Sequence, residues 1–260
     1  MKIQVLGCSG SIARDCRTTS FLLDDDVLID AGTGVGDLSL DALERIDHIL
    51  LTHSHLDHVL GVPLLADSVL RRRQARGAPP IAVHALPQTA DVLRAHLFNN
   101  RLWPDFTCLP SAEAPVLRFV PFAVGDFLVL GGRRIEVLPA AHSVPACGFA
   151  VHPDATGRGA WVFSGDTGPN PPFWARLAEF PVSHVVVETA FSEPEAALAG
   201  ASGHHCPSSL AAELAGAPAD ARLYITHIKP GEIDAVMAGL RARNQDRPLM
   251  ELLKGDVFEF

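Results

Sequence analysis

The sequence predicts an α/β fold with layered sheets, on three observations. Short apolar runs of strand length alternate with stretches whose apolar residues recur at helical spacing. No Pro-, Ser- or Gly-rich linker divides the 260 residues, which read as a single domain over 1–260. A hydrophobic fraction of 48% supplies a substantial core for a chain of that length.

Taken in order, Lys2-Ile3-Gln4-Val5-Leu6 reads as a strand and Gly7-Cys8-Ser9-Gly10-Ser11 as the turn after it. Phe21-Leu22-Leu23 and Val27-Leu28-Ile29 flank Asp24-Asp25-Asp26 as a hairpin. A short helix over 38–46 leads into the strand Ile49-Leu50-Leu51. Over 63–75, Leu64, Leu65, Ala66, Val69 and Leu70 share one helical face, with Pro63 where a first turn tolerates it. Further strands are expected at 81–83, 134–138, 147–151, 161–163, 184–187 and 223–225. Helices at 89–97, 173–178, 208–214 and 233–243 alternate with them. The basic run Arg71-Arg72-Arg73-Gln74-Ala75-Arg76 falls at a helix C-terminus, where arginine complements the macrodipole, and reads as a solvated end rather than a nucleic-acid patch.

Composition narrows the function classes. No charged segment, apolar core and small-residue cleavage site open the chain, so a soluble, cytoplasmic protein is expected. No apolar run approaches the ~18 residues of a membrane span, which removes the membrane as a partner. Five cysteines (Cys8, Cys16, Cys108, Cys147, Cys206) without a Cys-x-x-Cys pair fit reduced thiols. A net charge of −9 counts against nucleic acid, whose non-specific binding rests on Lys and Arg. A small anionic substrate fits better, because bound metal ions reverse the sign of a pocket. A homodimer is expected only on the general frequency of symmetric pairs, with no interface legible.

The run His53-Ser54-His55-Leu56-Asp57-His58 places four ligand-type side chains within six positions, directly beyond an apolar strand. Three other apolar strands end the same way: residues 135–138 lead through Pro139 to His142, 161–163 to Asp166 and 223–225 to His227. Loops at strand ends carry the chemistry of α/β proteins, because the strands fix positions while the loops adapt. Seven such residues suit two divalent ions, each with three private ligands and one shared carboxylate. Neutral imidazole and ionised carboxylate suit Zn²⁺, the first choice, and also accommodate Mn²⁺ or Fe. Burying so many titratable groups without metal is costly. His48, His84, His96, His152 and His184 have no such pattern and read as surface or packing residues.

His-x-His-x-Asp-His followed by a distant His, Asp and His resembles the metallo-β-lactamase superfamily, over essentially the whole chain. The resemblance implies a four-layer αβ/βα sandwich, the metallo-β-lactamase fold, with a dinuclear site at one edge. It implies that His53, His55 and His142 hold one ion, that Asp57, His58 and His227 hold the other, and that Asp166 bridges. Asp57 counts among the expected catalytic residues as well. Superfamily members with a redox di-iron centre have Glu where this chain has His55, so hydrolysis is implied. The stretches between ligands are similar to class II cyclic-nucleotide phosphodiesterases. These are Leu56 with the small Gly61, Leu97-Phe98-Asn99-Asn100-Arg101-Leu102-Trp103-Pro104-Asp105-Phe106, Gly165-Asp166-Thr167-Gly168-Pro169, Gly203-His204 and Thr226-His227-Ile228-Lys229-Pro230. They imply a phosphoric diester hydrolase that opens 3′,5′-cyclic nucleotides, cAMP or cGMP, by attack of a metal-bridging hydroxide. His205 and Cys206 depart from the Gly-His-Leu-Thr-Pro usual in that family, and the residues after Gly61 fit its signature only loosely.

Glu188, ending Val185-Val186-Val187, and Gly203-His204 follow the order of transfer-RNA 3′-processing members of the superfamily. That likeness implies that His204 protonates the departing ribose oxygen and that Glu188 orients it. His205 is expected to point away from its neighbour. Asp30 fits either support of a ligand histidine or a turn. Asn99, Asn100 and Trp103 fit either a base pocket or a packed insertion. The Gly7 to Ser11 turn lacks the P-loop lysine and the nucleophile-elbow spacing and reads as a turn near the site. Three other functions stay open. A transfer-RNA 3′-endonuclease lacks its Gly- and Lys-rich arm here, a thioester, lactone or β-lactam hydrolase shares only the metal core, and a non-catalytic scaffold is disfavoured by the complete ligand set.

Overall fold

In the computed structural model, which describes residues 1–153 and 157–260, the strands form two seven-stranded sheets. The first comprises β1 (Lys2–Gly7), β2 (Ser20–Leu23), β3 (Val27–Ile29), β4 (His48–Leu50), β5 (Ile81–Ala85), β6 (Leu117–Pro121) and β14 (Val257–Glu259), in the order β14-β1-β2-β3-β4-β5-β6. The second comprises β7 (Phe127–Leu130), β8 (Arg133–Pro139), β9 (Cys147–His152), β10 (Ala160–Phe163), β11 (Val182–Glu188), β12 (Arg222–Thr226) and β13 (Leu249–Glu251), in the order β7-β8-β9-β10-β11-β12-β13. Read in these orders, each sheet has three antiparallel pairings followed by three parallel ones.

Alternation along the strands sets the layers, because successive side chains leave opposite faces of a sheet. Phe21, Leu23, Val27, Ile29 and Leu50 join Ile135, Val137, Phe149, Val151, Trp161, Phe163 and Val186 in the seam between the sheets. Their neighbours Leu22, Leu28, Ile49 and Leu51 face outward onto Val62, Leu65 and Val69 of α3 (Gly61–Ala75), beyond α1 (Leu40–Glu44) and α2 (Leu56–Val59). On the far side Val185, Val187, Leu223 and Ile225 pack on α5 (Pro171–Leu177), α7 (Pro207–Glu213) and α8 (Ile233–Arg243). The result is the expected αβ/βα sandwich. Phe21 is its central pin, edge-on to Trp161 and Phe163 at 5.3 and 4.9 Å between centroids. The acidic hairpin after β2 is tied across the seam by Arg133, whose Nη2 donates to Asp26 Oδ2 at 2.7 Å.

Several elements differ from the sequence expectation. Strands β6, β7, β13 and β14 were not anticipated. They lie at the sheet edges and are partly exposed, so no continuous buried apolar run marks them as it marks the equally short β3 and β4. The helix expected over 89–97 is α4 (Pro87–Val92), begun by proline in its first turn, and a wider turn over Leu93–Leu97 closes with the Phe98 N–H on the Leu93 carbonyl at 2.8 Å. An unanticipated α6 (Ala196–Ser202) ends at Gly203, whose φ of +71° is the left-handed C-cap. Among the described residues no helix is long and apolar enough to cross a membrane, and the cysteines are free thiols.

The basic run is corrected in part. Arg73 is only 3% exposed and is no solvated helix end. Its Nη1 donates to the carbonyls of Glu44 and Ile46 at 2.8 and 2.9 Å, and its Nη2 to the Pro79 carbonyl and Asp47 Oδ1 at 2.8 and 2.7 Å. Arg72 and Arg76 pair with the buried Glu44 at 2.6 and 2.8 Å. The C-terminal turn of α3 therefore clamps the loops entering β4 and β5. Replacing Arg73 with Ala leaves three carbonyls without partners and is expected to cost about 3 kcal/mol in urea denaturation, whereas the exposed Arg71→Ala should change stability by less than about 0.5 kcal/mol.

Candidate metal centre

The pairings make β1, β3 and β4 run in one direction in the first sheet and β8, β10, β11 and β12 in one direction in the second, and the residues that follow both sets converge at one edge of the sandwich. Beyond them lie, in turn, the Gly7 to Ser11 turn, Asp30, the His53 to His58 run, His142, Asp166, Glu188 at the end of β11 itself, and His227. All seven predicted ligands meet there. Ligand atoms of His53, His55 and His142 lie within 4.8 Å of one another, and so do those of Asp57, His58, Asp166 and His227. The structure thus brings together the residues of each set that the resemblance implies, and Asp166 lies close to His53 of the first set as well. Its Oδ2 lies 3.2 Å from His227 Nε2, 3.3 Å from His58 Nε2 and 3.7 Å from His53 Nε2.

Each ring is aimed from behind. The Nδ1 atoms of His53, His58, His142 and His227 face Thr52 Oγ1 at 3.0 Å, Asp30 Oδ2 at 2.7 Å, the Gly203 carbonyl at 2.8 Å and Thr19 Oγ1 at 3.3 Å. That fixes the rings and leaves every Nε2 for the cavity, the arrangement that orients metal-binding histidines. His55, the residue before α2, presents Nδ1 instead, 3.1 Å from His142 Nε2. Such a separation is close to the edge of a tetrahedron with metal–nitrogen bonds of ~2.0–2.1 Å. Asp30 resolves its two readings in favour of both: at φ +55° it turns the chain, and its carboxylate accepts from Thr52 N–H and Oγ1 at 2.8 Å each as well as facing His58.

The donor set fits divalent ions. His53, His58, Asp166 and His227 are at most 2% exposed, yet His53 Nε2, His58 Nε2 and Asp166 Oδ1 have no hydrogen-bond partner. Orphans of this kind cost about 1–3 kcal/mol each unless something else satisfies them. Burial holds His53 well below its ordinary 6.5 and His227 down to about 4, so both are neutral lone-pair donors. Burial opposes charge on His58 too, but Asp166 and Asp30 outweigh it and hold its pKa well above 6.5. A position where two buried carboxylates favour a proton equally favours a cation.

His204 repeats the construction of His58. Its Nδ1 faces the fully buried Glu188 at 2.7 Å, and burial of its ring is outweighed by that contact, so its pKa rises. One nitrogen of His204 lies within 4.8 Å of ligand atoms of His142 and Asp166. Glu188 also accepts from Thr167 and Ala190 N–H, both at 3.0 Å, and has no surface in the cleft. It can act only through His204, as a positioning residue. His205 is buried beside Ser209, 3.0 Å away, and burial lowers its pKa to about 4.

The cleft over these side chains holds about 420 Å³, within the range of small-molecule sites, and is lined also by Gly10, Ile12, Leu56 and Lys229. Asn99, Asn100 and Trp103 do not line it. Asn99 Oδ1 accepts from Arg101 and Leu102 N–H, Asn100 Oδ1 from Asp105 N–H, and Trp103 packs on the outer core, so the packed-insertion reading is the one the contacts support. Sequence reading missed the part played by Gly10. A Cβ there would sit 2.3 Å from the His227 carbonyl oxygen, and His227 itself has φ +63°. The turn therefore fixes a ligand by close approach, a role that its two glycines hinted at.

A family model described as a β-lactamase superfamily domain matches residues 26–228. A ribonuclease Z of Bradyrhizobium sp. (strain ORS 278) is 37% identical over 145 residues, covering 53% of this chain and 44% of that protein. The 3′,5′-cyclic-nucleotide phosphodiesterase 1 of Saccharomyces cerevisiae is 26% identical over 200 residues, covering 67% of this chain and 51% of that protein. The matched stretches thus span about half the length of these curated relatives. The crystal structure of unliganded yeast PDE1 superposes with a TM-score of 0.77 at 19% identity, covering 98% of each chain.

Two measurements check the site. Asp30→Asn keeps the turn but weakens the hold on His58, and metal affinity by chelator competition is expected to fall about 10–100-fold. Asp166 and Asp30 favour the protonated form of His58, and an ion that binds its Nε2 takes the place of that proton. Calorimetry in buffers of different ionisation enthalpy should therefore show proton release on metal binding, and affinity should rise with pH until the raised pKa of His58 is passed.

Proposed function

The chain belongs to the β-lactamase superfamily, and we propose that it is a metal-dependent phosphodiesterase whose substrates are 3′,5′-cyclic nucleotides. One observation carries the proposal: seven ligand-type side chains converge at one sheet edge, and four of them, His55, Asp57, Asp166 and His227, line a single cleft of small-molecule size together with His204, which Glu188 holds from behind. We assign His53, His55 and His142 to one ion, Asp57, His58 and His227 to a second, and Asp166 to both, with zinc the first choice among divalent metals. Ions so held lower the pKa of water and neutralise phosphoryl charge.

This chain's own residues do the rest. Asp30, Thr52, Thr19 and the Gly203 carbonyl keep the imidazoles aimed at the cavity. His204, anchored at Nδ1, has Nε2 free for a departing oxygen and can hand it a proton, while Glu188 stabilises the imidazolium. Leu56, 59% exposed, and Ile12 add apolar surface to the lining of the cleft. The cyclic-nucleotide assignment is supported by the likeness to the yeast phosphodiesterase over two thirds of this chain.

The ribonuclease Z match favours a second reading, cleavage of transfer-RNA precursors at the 3′ end. The net charge of −9 counts against it. A panel of cAMP, cGMP, bis(p-nitrophenyl) phosphate and precursor transfer RNA, with metal-loaded protein and with chelator, separates the two. Cyclic nucleotides are expected to be opened only in the presence of metal, and His204→Ala to lower kcat about 10²–10⁴-fold with metal content unchanged. Cleavage of the RNA with cyclic nucleotides left intact would carry the second reading, and turnover of lactones or thioesters alone would sink both.

A further inference from the structure

Lys229 stands two residues beyond His227, in a loop pinned on both sides. The His227 N–H donates to the Cys8 carbonyl at 2.8 Å, the Gly10 N–H to the Ile228 carbonyl at 3.1 Å, and the Lys229 N–H to the Ala190 carbonyl at 3.4 Å. The Glu232 N–H closes a turn on the Lys229 carbonyl at 3.0 Å. The side chain is half-buried and lies over Phe191, with Nζ 5.0 Å from the ring centroid. Phe191 is 6% exposed and stands edge-on to His204, 5.6 Å between centroids. The cation is therefore held at a fixed place beside the proposed proton donor.

Two features set this lysine apart. In a chain with 30 acidic and 21 basic residues, the less exposed Arg17, Arg73, Arg133 and Arg176 each pair with a carboxylate, yet among the described residues Lys229 has none within ion-pair distance. Among the described residues it is also the single Lys or Arg lining the cleft, which Asp166, His204 and His227 line as well. A charge of fixed position, unpaired and facing a site, is arranged to be completed by something that arrives.

We propose that Lys229 is a substrate-binding residue that holds a non-reacting oxygen of an anionic phosphodiester, and so selects charged phosphate esters over neutral carboxylic esters at this cleft. The assignment deepens the phosphodiesterase reading and rests on it for the identity of the substrate. Phe191 fixes the height of the ammonium through its ring face, and the backbone bond to Ala190 fixes its root. In transferring the phosphoryl group the diester gains negative charge on its non-bridging oxygens, so a cation at this position helps most where charge develops.

The test uses full-length, metal-loaded protein, with inorganic phosphate as the probe for binding and bis(p-nitrophenyl) phosphate as the probe for turnover. Lys229→Ala is expected to weaken phosphate about tenfold or more by calorimetry and to lower kcat/KM for the diester by a similar factor, with metal content unchanged. Lys229→Arg should restore most of both, and Phe191→Leu should give an intermediate loss. Phosphate affinity unmoved by Lys229→Ala, or wild-type protein that binds no phosphate at millimolar concentration, would overturn the assignment. Phosphate binding that depends on Lys229 in a protein that cleaves no diester would instead remove the phosphodiesterase reading and leave the anion site standing.

Discussion

Five imidazoles at the edge of the sandwich share one device: Nδ1 is tied outward and Nε2 is left for the cavity. Neutral or charged, an imidazole free to rotate would offer a disordered mixture of donors and acceptors. Fixing Nδ1 removes that freedom, and where the partner is a carboxylate or carbonyl, as for His58, His142 and His204, it also puts a proton on Nδ1. The anchors come from different parts of the chain, Asp30 after β3, Thr52 after β4, Thr19 before β2, Gly203 after α6 and Glu188 at the end of β11. Disturbing the end of β3 or the start of β2 therefore disturbs a ring that another strand carries, His58 beyond β4 or His227 beyond β12.

The sheets exist, in this sense, to bring those anchors to one edge. Three pairings in each sheet are parallel, so consecutive strands deliver their C-terminal loops to the same side, and the antiparallel β8 and β1 add His142 and the Gly10 turn there. Cohesion behind the site is apolar and close-packed, with Phe21, Trp161 and Phe163 crossing the seam. That rigidity holds the left-handed backbone of Asp30 and His227, each an expense of roughly 1–3 kcal/mol at a site of function.

Much of this was legible in the residues. His53, His55, Asp57 and His58 announce themselves by spacing, and His142, Asp166 and His227 by their place beyond apolar strands. The central strands were legible because buried Val, Ile and Leu runs admit few other readings. What the sequence hid depends on contact in three dimensions. Arg73 looks like its neighbours until α3 is laid over the loops whose carbonyls it meets. Thr19, Thr52 and Gly10 have ordinary roles in any turn and acquire their function only from the ring that packs on them. The short edge strands are defined by their partners, and Asn99 and Asn100 hydrogen-bond within their own loop, away from the cleft.

A two-ion centre at this edge depends on one buried carboxylate serving both ions. Asp166 lies between both ligand sets, with an unpaired Oδ1 and an Oδ2 near three imidazoles. Metal counting by plasma mass spectrometry on protein saturated with zinc and freed of excess tests this directly, in the wild type and in Asp166→Ala. Two ions per chain, lost together or reduced to one in the variant, are the predicted result. A single ion in the wild type, or two that remain with unchanged affinity when Asp166 is removed, would contradict it.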